Sequence, residues 1–140
     1  MSVAYSGTCL CKASKVTITG PKVDSQIRCH CIDCNLTSGT AFSSNILVKE
    51  SDVQMDGAIG SYAIKGASGN PVTRYFCSKC ASHFGHNSVV FGDQMAIQTG
   101  VLVQDFKHIP YSLELFAKDR WAGVEPVKGG EPEAPTKARL

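Results

Sequence analysis

Cys29-His30-Cys31-Ile32-Asp33-Cys34 sets three thiols within six consecutive residues. Two further pairs flank it at a distance, Cys9-Leu10-Cys11 and Cys77-Ser78-Lys79-Cys80, and together these are the seven cysteines of the chain. An odd number leaves one thiol over in any pure disulfide framework. Disulfide scaffolds also spread their cysteines so that each bridge closes a long loop. A metal site instead needs close pairs, because one short turn must present two sulfurs to one ion. The C-x-C, C-x-C-x-x-C and C-x-x-C spacings therefore point to metal, and thiolates without other soft ligands point to zinc. The competing reading is a set of redox thiols. A lone C-x-x-C would fit it, but no βαβ pattern surrounds the motif.

Coordination number suggests how to divide seven sulfurs. A closed structural zinc takes four protein ligands, and a catalytic zinc typically takes three and leaves one position for water or substrate. Cys9, Cys11, Cys77 and Cys80 would close a four-sulfur site that ties the N-terminal segment to the middle of the chain. Cys29, Cys31 and Cys34 would form one face of a second tetrahedron. Two alternatives stay open: His83 or His86 as a fourth ligand of the second site, or Cys29 or Cys34 as a spare thiol.

The rest of the composition narrows the class. At 140 residues, with 43% hydrophobic and 19% charged residues, the chain suits one folded domain. A net charge of +2 gives no basic footprint for nucleic acid. No apolar run approaches the roughly 20 residues of a membrane-spanning helix. Met1 to Gly7 lacks a basic start and an apolar core, so the expected location is cytoplasmic, where thiols stay reduced.

Strand signals recur along the chain. Lys15 to Thr19 alternates and is rich in β-branched residues, then stops at Gly20-Pro21. Gln26 to Arg28, Phe42 to Val48, Ser61 to Lys65, Val72 to Phe76, Val89 to Phe91, Met95 to Thr99 and Ser112 to Ala117 read as further strands. Asp56-Gly57 is a turn signal, and residues 66–71 read as a loop. The best helix candidate is Ser51 to Met55. The expectation is an all-β or β-rich fold in residues 1–125, followed by a mobile polar tail over 126–140, where Pro126, Gly129, Gly130, Pro132 and Pro135 break any pattern.

The order of motifs is also familiar. Gly7-Thr8-Cys9-Leu10-Cys11, the three-cysteine run, Gly39-Thr40-Ala41-Phe42 and Arg74-Tyr75-Phe76-Cys77-Ser78-Lys79-Cys80 resemble the glutathione-dependent formaldehyde-activating enzyme family, which shares its domain with centromere protein V. The resemblance covers roughly residues 5–121. It implies an Mss4-like tent of small antiparallel sheets built around zinc. It implies a structural zinc on Cys9, Cys11, Cys77 and Cys80 and a second zinc on Cys29, Cys31 and Cys34. The activity it implies joins glutathione to formaldehyde to give S-hydroxymethylglutathione, a carbon–sulfur lyase reaction. Two positions depart from the family pattern: Ala81 stands where glycine usually follows the C-x-x-C, and Asn35 stands where a basic or long polar residue often follows the three-cysteine run.

Three thiolates make an electron-rich zinc, which suits holding an exchangeable substrate thiolate better than generating hydroxide. That favours addition of a thiol to an aldehyde, and the reverse, with small-molecule partners. His30, His83 and His86 are candidate proton carriers. Arg28 and Arg74 are candidate clamps for the carboxylates of a substrate such as glutathione. The alternative is a binding module that needs only the four-sulfur zinc and catalyses nothing.

Overall fold

A computed structural model describes residues 2–66 and 69–128. The alternation that marks Lys15 to Thr19 becomes strand β2 (Ser14–Thr19), which buries Ser14, Val16 and Ile18 and turns the residues between them outward. It is the middle of a three-stranded antiparallel sheet, flanked by β1 (Val3–Thr8) and β5 (Val53–Gly57). Here the helix expected over Ser51 to Met55 gives way. Glu50–Asp52 forms one 3-10 turn, and Val53 and Met55 enter β5 opposite Ile18 and Val16. A two-residue apolar alternation that can pair with a buried strand outweighs a helical propensity with nothing to pack on. Gly57, at a φ of 93°, turns β5 into the next strand, as Asp56-Gly57 foretells; a side chain there would collide with the carbonyl oxygen of Ala13.

The second sheet holds seven of the ten strands among the described residues. In spatial order these are β10 (Tyr111–Leu115), β3 (Gln26–Cys29), β4 (Ser43–Lys49), β9 (Gln94–Gln98), β8 (His83–Ser88), β7 (Pro71–Cys77) and β6 (Ile59–Lys65). All neighbours are antiparallel except β10 and β3, which run parallel. Two short helices interrupt the strands, α1 (Ile32–Ser38) and α2 (Val103–Phe106). The fold is β-rich, as the strand signals indicate. Val89–Phe91 is a 3-10 turn rather than a strand: the Ser88 hydroxyl accepts from Val90 N–H and Gly92 ends the turn at a φ of 64°. Phe84, Ile18, Ile46, Ile97 and Leu102 form the centre of the core. No helix of the described residues is long and apolar enough to cross a membrane.

The C-terminal segment is held down by one carboxylate. Glu114 on β10, only 6% exposed, accepts from Arg120 Nε and Nη2 at 3.1 and 2.8 Å, from His30 Nε2 at 3.0 Å and from the Val127 N–H at 3.2 Å. Of the tail expected over 126–140, residues 129–140 lie outside the described residues; Val127, at its start, is held by this bond. Arg120 first, then His30 and Val127, stabilise the ionised form and hold the Glu114 carboxyl down to about 2, against an ordinary value of 4.5. A depressed carboxylate contributes stability above its unfolded value and loses it as pH falls through the folded one. Glu114→Gln should therefore cost about 2–3 kcal/mol at neutral pH, and the gap from the wild type should shrink between about pH 4.5 and pH 2. Denaturant unfolding across that range measures it; a gap that stays constant with pH would contradict the assignment.

Candidate metal and substrate site

Two hairpin turns bring the first group of sulfurs together. Between β1 and β2 the chain doubles back through Cys9 to Ala13, with Cys9 N–H donating to Ser14 O and Lys12 N–H to Cys9 O. Between β7 and β8, Cys77 N–H donates to Ser82 O and Ala81 N–H to Cys77 O. Each turn needs a left-handed residue directly after its second cysteine, and these are Lys12 and Ala81, both at a φ of 65°. The left-handed conformation is glycine's own, which gives a physical reason for the family's usual glycine at the position of Ala81. The two turns are joined by Leu10 N–H donating to the Ser82 hydroxyl at 3.0 Å.

The sulfurs of Cys9, Cys11, Cys77 and Cys80 all lie within 4.8 Å of one another. Cys9 and Cys11 are 3.7 Å apart, and Cys11 and Cys77 are 3.8 Å apart. Sulfurs each about 2.3 Å from one ion at a tetrahedral angle are roughly 3.75 Å apart, so the spacing fits a four-thiolate ion. Ser14 N–H donates to the Cys9 sulfur at 3.3 Å and Lys79 N–H to the Cys77 sulfur at 3.4 Å. Ser82, hydrogen-bonded to Cys80, holds that thiol down to about 5. Such donors orient ligands and favour the thiolate form.

The second group is built at one corner. Cys29 ends β3, Cys31 caps α1 and Cys34 lies in its first turn, its N–H donating to the Cys31 sulfur at 3.3 Å. Gly39, at a φ of 69°, ends α1, and the Asn35 side-chain amide donates to Thr40 O and Ala41 O, fixing the connection into β4. The three sulfurs lie within 4.8 Å of one another, each cysteine at most 1% exposed, and the group ends at three among the described residues. Leu115 and Phe116 pack against them, with Phe116 itself at a left-handed φ of 56°. Hydrogen bonds from Cys29 and Cys31, then from the Ser43 hydroxyl, and the Arg74 charge hold the Cys34 thiol down to about 3, while Cys29 is pushed far up by the shared protons and burial. Both groups could therefore hold a metal ion.

The remaining sequence candidates separate. His30 turns its ring to Glu114, and its edge meets Phe42 at 5.7 Å. His83 donates from Nε2 to Gly85 O. Arg28 is engaged: its guanidinium lies over both the Phe42 and Tyr111 rings, 4.7 and 4.6 Å from their centroids, and Nη1 donates to Glu125 O at 2.9 Å. Arg74 and His86 are buried beside the three-cysteine group and retain unpartnered polar atoms. Ser43, Glu114 and Phe116 carry no spacing signal of their own and emerge only from the fold.

Two spaces lie near the group, one reaching it through Ser43 and one through Cys29. A groove of about 360 Å³ runs along the α1–β4 connection, lined by Ser38, Thr40, Ser43, Ser44, Lys107 and Tyr111 among others. A second cavity of about 20 Å³ lies between Cys29 and His86, walled by Leu47, Phe91 and Ala96. Its size admits about one water-sized group.

Because Ala81 pays for a left-handed backbone that glycine adopts freely, Ala81→Gly should stabilise the protein by about 1 kcal/mol and raise the melting temperature by about 2–4 °C. Calorimetry of the two proteins checks this. An unchanged or lower melting temperature would mean that the turn is not strained.

Comparison with known proteins adds three findings. The model of the glutathione-dependent formaldehyde-activating enzyme family matches residues 4–119. A crystal structure of a Rhodobacter sphaeroides protein is similar at a TM-score of 0.57 and 18% identity, over 76% of this chain and 99% of that one, which speaks for the fold alone. None of the curated proteins matches the chain. With the cysteine groups assembled as described and the family match spanning most of its length, the chain belongs to the glutathione-dependent formaldehyde-activating enzyme family.

Proposed function

We propose that the protein is a zinc-dependent carbon–sulfur lyase that joins a small thiol to an aldehyde and runs the reverse reaction, with glutathione and formaldehyde as the first pair to test. The observation that carries this reading is the buried group of Cys29, Cys31 and Cys34, which offers three sulfurs and has no fourth ligand among the described residues. Three protein thiolates leave one position of a tetrahedral zinc open, whereas the four-sulfur group of Cys9, Cys11, Cys77 and Cys80 has the make-up of a closed structural site. Zinc held at the open site would supply a Lewis-acidic position at which a substrate thiol loses its proton at neutral pH.

The chain's own residues do the rest. Ser43, bonded to Cys34, also lines the 360 Å³ groove, so one side chain separates the groove from the proposed reacting centre. The groove would take the non-reacting part of the thiol, with Lys107 available to one carboxylate. Arg28, already stacked and bonded, would shape the groove wall through Phe42 and Tyr111 rather than meet a substrate directly. Arg74 retains free donors and is the better placed of the two arginines to touch a ligand. Leu115 and Phe116 shield the centre from bulk water, which strengthens every charge interaction inside it.

Exchange spectroscopy by NMR, with glutathione and formaldehyde first and then a panel of thiols and aldehydes, tests the proposal. Exchange should run faster than the uncatalysed background and return to it in Cys29→Ala, Cys31→Ala and Cys34→Ala. A protein holding both metals that shows no rate above background with any pair would contradict it. A zinc-stabilised binding module would then be the reading to adopt.

A further inference from the structure

Six buried side-chain nitrogens lack a hydrogen-bond partner among the described residues, and four of them belong to one facing pair. They are Nε and Nη2 of Arg74 and both ring nitrogens of His86. The two residues are 4% and 1% exposed. Burying a guanidinium with most of its donors unused costs several kcal/mol, and buried polar groups in native proteins are rarely left so unless something else meets them.

Their placement says what that is. Arg74 on β7 and His86 on β8 are direct partners across the strands, so both side chains rise from the same face of the sheet. The third donor of Arg74, Nη1, reaches the Thr37 hydroxyl at 3.3 Å, one turn of α1 beyond Cys34. His86 and Cys29 share the wall of the 20 Å³ cavity, whose other walls are mostly apolar. A cavity of this size beside Cys29 is too small for a peptide-sized thiol. It suits a single oxygen on a one-carbon group; His86 walls it directly, and Arg74, the cross-strand partner of His86 whose charge acts on Cys34, brings its unused donors to the same face of the sheet.

We propose that Arg74 and His86 are catalytic residues that hold the aldehyde oxygen, Arg74 through Nε–H and Nη2–H and His86 through one ring N–H. This rests on the thiol–aldehyde reading above. In the addition, the thiolate sulfur forms a bond to the carbonyl carbon and the C=O π pair moves onto oxygen. The resulting alkoxide is met by the donors of Arg74 and His86, and it takes from water a proton equivalent to the one the thiol gave up. Thiol plus aldehyde gives hemithioacetal, with no other reactant. Donors fixed in advance in a dry site cost no reorganisation as the charge develops.

The test uses the metal-loaded protein, Arg74→Met and His86→Phe, read three ways. If the pair holds the oxygen, Arg74→Met should lower kcat by about 10²–10³-fold, the usual loss for one oxyanion donor. The KM for the thiol should change little, the melting temperature should hold or rise, and added guanidinium should restore part of the rate. A raised KM with kcat unchanged would make Arg74 a carboxylate clamp, and a fallen melting temperature without rescue would make it structural; either overturns the proposal. The third reading needs no turnover. Formate, a one-carbon anion, should shift the Arg74 Nε–H and His86 ring signals in the ¹H–¹⁵N spectrum of the wild type. Each variant should weaken formate binding at least tenfold. If the wild type exchanges no thiol and aldehyde yet formate shifts these signals, the reaction is misread and the oxygen site stands. If formate leaves them unmoved, the oxygen site is refuted.

Discussion

Sulfurs drawn within 4.8 Å of one another repel once they ionise, so a fold keeps them that close only where shared protons or a cation offset the repulsion. The chain does this twice. The first group draws two sulfurs from the β1–β2 turn of the small sheet and two from the β7–β8 turn of the large one, so it is also the join between the sheets. The second lies wholly at the β3–α1 corner of the large sheet and joins nothing distant. This difference in wiring is the basis for reading the first group as structural and the second as the proposed ligand site. In a chain of short strands, whatever binds the first group contributes its binding free energy to folding.

Around the second group, the fold arranges cover and charge together. Phe116 and Leu115 close over the sulfurs, and the segment that carries them is held by Glu114, which gathers Arg120, His30 and Val127. His30 thus ties the cluster's own backbone to its cover. Behind the sulfurs stand Arg74 and His86 with donors unspent. Buried cationic and polar groups beside the sulfurs are costly in the folded chain and useful to a developing negative charge, a trade that accords with the proposed reacting centre.

The cysteine spacings announce both groups before any coordinates, because ligands that share a short turn must be close in sequence. Strand alternation from Lys15 to Thr19 and from Val72 to Phe76 is equally plain, since each buries one face. What stays hidden depends on distant partners. Val89–Phe91 has strand residues, but the caps at Ser88 and Gly92 coil it. His83 to Ser88 has no β-branched residue and is a strand because β7 and β9 pair with it on both sides. Arg28 and Arg74 look alike as strand-borne charges, yet aromatic rings far along the chain occupy one and leave the other open. Ala81 is the instructive departure: the family's glycine at that point has a backbone reason that a list of ligands does not reveal.

The central claim is that the two groups hold two zinc ions with unequal shells, one closed and one open. Native mass spectrometry of the intact protein, paired with zinc X-ray absorption on the same sample, addresses it directly. The account predicts two zinc ions per chain and an average shell of about 3.5 sulfurs per ion, the mean of a four-sulfur and a three-sulfur site. One zinc per chain with four sulfurs would contradict it, and so would two ions each with four.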